Sequence, residues 1–104
     1  MTRTFFPLFA AGLCPICGVE PLALIDRAKG SIVFWCPGCG LVWNSPPSGN
    51  EVNSFDGLEQ TSPLGVTLPD RGEVAGIQGV FELPAGAWEE ELAVLVQRGL
   101  LLPG

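Results

Sequence analysis

The chain has 104 residues, the size of one domain, and is 47% hydrophobic but only 15% charged, which supplies a core and excludes both a disordered tail and a large catalytic barrel. Five basic residues stand against eleven acidic ones, for a net charge of -6, which opposes any binding driven by neutralisation of nucleic-acid phosphates. The absence of histidine excludes Ser-His-Asp and Cys-His nucleophile pairs, an imidazole base and every histidine-ligated zinc site.

Residues 1–12 carry Phe5, Phe6, Leu8 and Phe9, broken by Pro7, a run too short to span a bilayer. Its brevity and proline argue against a secretion signal, and Leu13 is too bulky to precede a lipidated cysteine, so the segment reads as an apolar strand. Cys14-Pro15-Ile16-Cys17-Gly18 follows. Residues 21–25 and 31–35 flank the turn-forming stretch 26–30, which predicts a hairpin. In its second strand Ile32 and Phe34 point one way and Val33 and Trp35 the other, so neither face is polar. Such a strand needs cover on both faces, from the C-terminal half or from a partner. Cys36-Pro37-Gly38-Cys39-Gly40 comes next, and Leu41-Val42-Trp43 supplies a further strand.

Residues 44–50 are Asn-Ser-Pro-Pro-Ser-Gly-Asn, dense in breakers of regular structure, and mark a boundary. Charge shifts there as well: residues 1–50 hold three basic groups against two acidic ones, a net +1, and residues 51–104 hold two against nine, a net -7. Prolines at 63 and 69 and glycines at 57, 65, 72, 76 and 79 restrict the next stretch to short elements, a helix over 70–77 and a strand over 80–83. Residues 84–98 read as a helix: Pro84 suits its first turn, Glu89, Glu90 and Glu91 its N-terminal end, and Gly99 a C-terminal stop. Trp88, Leu92, Leu95 and Val96 recur at helical spacing. Leu100 is expected to fold back on Leu95, with Leu101 and Leu102 extending an apolar tail. The three glutamates read as a solvated face aided by the helix dipole rather than as a metal site.

The two C-P-x-C-G copies leave 18 residues between Cys17 and Cys36, inside the metal-site template of two C-x2-C pairs separated by roughly 15–20 residues. Two cysteines three apart in a tight turn aim both sulfurs at one point, and two such turns close a tetrahedron. Pro15 and Pro37 preset the turn, and Gly18 and Gly40 permit the left-handed backbone that turns N–H groups toward the sulfurs. Cys14, Cys17, Cys36 and Cys39 are therefore the expected ligands of one structural zinc ion, with iron in a rubredoxin-like site as the lesser alternative. A thioredoxin-type reading of Cys36 and Cys39 lacks the helix that motif needs, because a strand follows.

Over roughly residues 5–44 these motifs resemble the zinc-ribbon family. That resemblance implies two cysteine knuckles joined by a β-hairpin and says nothing of the remaining chain. Together with the elements read above it gives a small α+β protein: an N-terminal zinc ribbon of β-hairpins (1–45), a loop-rich acidic segment with short elements (46–82), and a C-terminal helix with an apolar tail (83–104), packed as one domain. The knuckles alone also resemble those of some bacterial immunity-type proteins with doubled C-x-x-C-G motifs, which implies a toxin-neutralising role.

An enzyme is not expected, since no carboxylate accompanies a nucleophile in a recognisable motif and no phosphate-cradling glycine loop is present. Transcription-associated ribbons bind nucleic acid, yet this hairpin offers only Arg27 and Lys29 near its tip, opposed by Asp26 and Glu20. The favoured reading is a non-catalytic, cytoplasmic protein-binding module whose partner is another protein, of basic character given the acidic charge, or a second copy, with no nucleic acid and no membrane. Trp35 and Trp43 are the candidate partner-binding residues, because aromatic anchors dominate such interfaces.

Overall fold

The computed structural model describes residues 8–14, 16, 18–44, 55–84 and 88–101. Strands β1 (Leu8–Ala11), β2 (Leu22–Asp26), β3 (Ile32–Trp35) and β4 (Leu41–Trp43) pair antiparallel in chain order, as the short connections between successive strands favour. Asp26 closes the β2–β3 hairpin. Its N–H donates to Ser31 O (2.8 Å), its carbonyl accepts from Gly30 (2.7 Å), and its Oδ1 accepts from the Ala28 N–H (2.8 Å). That use of a short acidic side chain to hold a turn explains a carboxylate at a fully buried strand end.

Three short strands from the second half complete the sheet. β5 (Phe55–Asp56) lies outside β4, and β7 (Val80–Leu83) lies outside β1, giving the order β5-β4-β3-β2-β1-β7. β6 (Val66–Thr67) pairs with the end of β2 at Ile25 and Asp26. Both apolar faces are covered. On one, Leu8, Ala10, Leu22, Leu24, Val33 and Val42 pack with Leu58 of α1 (Leu58–Thr61), Leu92 and Leu95 of α3 (Glu89–Gln97), and Leu100 and Leu101. On the other, Phe9, Ala11, Ala23, Phe34 and Trp43 pack with Cys14, Cys36 and Val74 of α2 (Arg71–Val74). The C-terminal half thus supplies the cover that β3 demands, at roughly 1.5–3 kcal/mol for each large apolar side chain removed from water.

The short helix expected over 70–77 forms over α2, where Asp70 Oδ1 accepts from the Glu73 N–H (2.8 Å) and Glu73 returns a carboxylate to the Asp70 N–H (2.9 Å), a reciprocal capping box. Arg71 grips Glu82 of β7 through both terminal guanidinium nitrogens, Nη1 and Nη2 (2.8 and 2.9 Å). The C-terminal helix begins later than its sequence suggests. Pro84 leaves β7 instead of opening a helix, Trp88 has a left-handed φ of 61°, and α3 starts at Glu89. Pairing of Leu83 with Leu8 fixes the chain as strand up to that point. The other end matches expectation: the Leu100 N–H reaches Leu95 O (2.9 Å) and the Gly99 N–H reaches Val96 O (3.0 Å), the Schellman pattern. The leucine tail is not loose. The Val66 N–H donates to Leu100 O (2.6 Å) and Leu101 bridges Val66 in parallel. Leu102 and the 45–50 boundary lie outside the described residues.

Candidate metal centre

Antiparallel pairing places the β1–β2 and β3–β4 connections at the same end of the sheet, and the cysteines lie in those two connections. The two turns have the same backbone hydrogen bonding. In the first, the Cys14 N–H donates to Val19 O (2.8 Å) and the Gly18 N–H to Cys14 O (2.9 Å); in the second, Cys36 donates to Leu41 O (2.9 Å) and Gly40 to Cys36 O (2.8 Å). Gly18 and Gly40 take left-handed φ values of 75° and 79°, which a side chain would strain. The turn also presents N–H groups to sulfur, as the Ile16 N–H does to Cys14 Sγ at 3.4 Å.

The sulfurs of Cys14, Cys36 and Cys39 lie within 4.8 Å of one another, and Cys14 Sγ is 3.6 Å from Cys39 Sγ. Four thiolates at the usual zinc–sulfur distance sit about 3.8 Å apart at the corners of a tetrahedron, so these three residues fit three of those corners. Cys17, the fourth expected ligand, lies outside the described residues. Among the described residues no carboxylate joins the group.

The donor set is not uniformly buried. Cys14 (3% exposed) and Cys36 (0%) belong to the second core cluster, whereas Cys39 is exposed at the turn's outer edge. Partial desolvation of its sulfur by the neighbouring turn pushes the Cys39 thiol up from its ordinary value, and Cys14 adds to the rise, while the Leu41 N–H and Cys36 pull it down. A cation therefore has to displace a proton from Cys39 to bind, and metal affinity falls as pH falls.

The two tryptophans singled out by sequence part company. Trp43 is 1% exposed and lies in the second core cluster. Trp35 is half-buried on the opposite face, at the edge of the first cluster. Beside Trp35 lies a cleft of about 520 Å³ shared by the second knuckle, α1 and α3. No local pattern announces it, because its walls come from three separated stretches of chain. Of the three glutamates, Glu89 and Glu90 are exposed on α3 and Glu91 lines this cleft.

Comparison of the chain with protein-family models, with curated proteins and with solved structures finds no match. The class of the protein therefore follows from geometry: an antiparallel sheet with short helices that gathers cysteines into a cluster able to hold a metal ion. No helix among the described residues is long and apolar enough to cross a membrane.

Proposed function

We propose that the chain is a zinc-stabilised, non-catalytic protein-binding module of zinc-ribbon architecture, with Cys14, Cys17, Cys36 and Cys39 as its four ligands. The observation that carries this reading is the repeated knuckle: two turns with matching hydrogen bonds, at one end of a sheet, converge cysteine sulfurs to within 4.8 Å. An all-thiolate site leaves no coordination position for water or substrate, so its metal holds the fold and does no chemistry. Tetrahedral thiolates accept iron as well as zinc, and zinc is the reading that the ligand spacing favours.

Acidity points the partner's chemistry toward the basic side. With a net charge of -6, before four thiolates and one divalent cation contribute about -2 more, the surface attracts a cationic protein. Neutralisation of a basic toxin is one concrete form of this role. Nucleic acid is the second reading, favoured only by the exposed Arg27 and Lys29 at the hairpin tip. Binding of random DNA at physiological salt is expected to be negligible; a steeply salt-dependent, sub-micromolar complex in a gel-shift titration would replace the protein-partner reading.

Elemental analysis and native mass spectrometry of the purified chain test the metal. The expected result is one zinc per colourless chain, with loss of ordered structure by circular dichroism on chelation at neutral pH. A red protein with iron–thiolate charge-transfer bands contradicts the zinc assignment.

A further inference from the structure

We propose that the cleft beside the second knuckle is a receptor for an arginine or lysine side chain presented by a partner protein. The proposal deepens the protein-binding reading and rests on it. Its volume of about 520 Å³ lies within the range of about 300–1,000 Å³ found for pre-formed ligand sites. The half-buried Trp35 lines it, together with the buried Leu95 and the half-exposed Val94 of α3. Glu59, Glu91 and Arg98 supply its charge. Arg98 is already engaged, its Nη1 lying 3.1 Å from Glu59 Oε1. Glu91 has no ion-pair partner among the described residues, so the cleft carries one uncompensated negative charge.

A cleft lined by a tryptophan, aliphatic side chains and a carboxylate without an ion-pair partner among the described residues selects a long basic side chain on three grounds. Its methylene stem lies along apolar surface while its head stays at the polar edge. The cation gains from an indole face within about 6 Å, and a charge-assisted hydrogen bond to Glu91 fixes its end. The alternatives lose. An acidic side chain meets both glutamates and the net charge of -6, and an apolar one desolvates Glu91 without pairing it.

The test is a titration of the full chain, purified in the presence of zinc and labelled with nitrogen-15, with the capped tripeptides Gly-Arg-Gly, Gly-Lys-Gly, Gly-Gln-Gly and Gly-Glu-Gly, followed by amide and indole N–H shifts. Saturable shifts of the Trp35 indole and of amides at 58–60 and 91–98 are expected with the arginine and lysine peptides, and none with the other two. Glu91→Gln, a surface change on α3, is expected to weaken the response about three- to five-fold, and Trp35→Leu, which keeps apolar bulk but removes the π face, by a similar factor. Absence of saturable shifts at these positions, an equal response to the glutamine peptide, or unchanged affinity in Glu91→Gln overturns the proposal. So does equal saturation by guanidinium chloride, which would make the cleft a small-cation site. Zinc content measured on the same sample keeps the two readings apart: one zinc per chain without cleft shifts sinks the receptor alone, and cleft shifts in a chain that binds no zinc sink the metal reading alone.

Discussion

Cys36→Ser is expected to leave a chain without a cooperative unfolding transition. A structural zinc site in a small domain contributes about 10–16 kcal/mol at neutral pH, comparable to the whole net stability of about 5–15 kcal/mol that such a domain has. Cys36 also has a second role, since it is fully buried in the core cluster with Phe34 and Trp43. The substitution therefore removes a ligand and places a hydroxyl in apolar surroundings, which costs a further ~1–3 kcal/mol when unpaired. Cys39→Ser loses the ligand but not the packing, because Cys39 is exposed. Its zinc content should fall as far, with a smaller loss of residual structure. Glu90→Gln, at an exposed helix position, should lie within about 0.5 kcal/mol of the parent. Chemical denaturation and zinc content, measured side by side for the three variants, check this order. Equal stability for Cys36→Ser and Glu90→Gln contradicts it.

Trp43→Ala carries the second largest effect. The side chain is 1% exposed, the bulkiest among the fully buried ones, and packs with Phe9, Phe34 and Val74. Truncating a buried tryptophan typically costs about 3–5 kcal/mol, and at about 4–8 °C per kcal/mol for a domain of this size the melting temperature should drop by roughly 12–40 °C. Self-association measured by sedimentation should not change. A variant that melts like the parent but associates differently would return Trp43 to the partner surface that its aromatic character alone suggests.

Local signals made β1 to β4, both cysteine turns, the short α2 helix and the α3 stop readable in the sequence. Alternation in 32–35, the doubled C-P-x-C-G and the Gly99-Leu100 pair each act over a few residues and meet no competing demand. What escaped depends on contacts between distant segments. β5 and β6 are two residues each, too short for any periodicity, and exist because β4 has an open edge and the end of β2 at Ile25 and Asp26 takes a partner other than β1. Pro84 suits a first helical turn, but the β1–β7 ladder holds Leu83 extended and delays α3 by one turn and more. Pairing of Phe34 with Trp43 and of Trp35 with Val42 puts the two tryptophans on opposite faces. Which face closes completely is decided by the segments that cover it, and no pattern inside either strand records that. The cleft is hidden for the same reason, being assembled by the docking of α1 and α3 beside the second knuckle.

X-ray absorption at the zinc edge of the loaded protein tests the central claim most directly, because it counts the atoms around the metal and includes Cys17 in the count. Four sulfurs at about 2.3 Å and no light scatterer in the first shell are predicted, with the same result after dialysis against excess buffer. A shell of two or three sulfurs completed by oxygen or nitrogen would contradict a closed, structural four-cysteine site and with it the account of how this chain holds its fold.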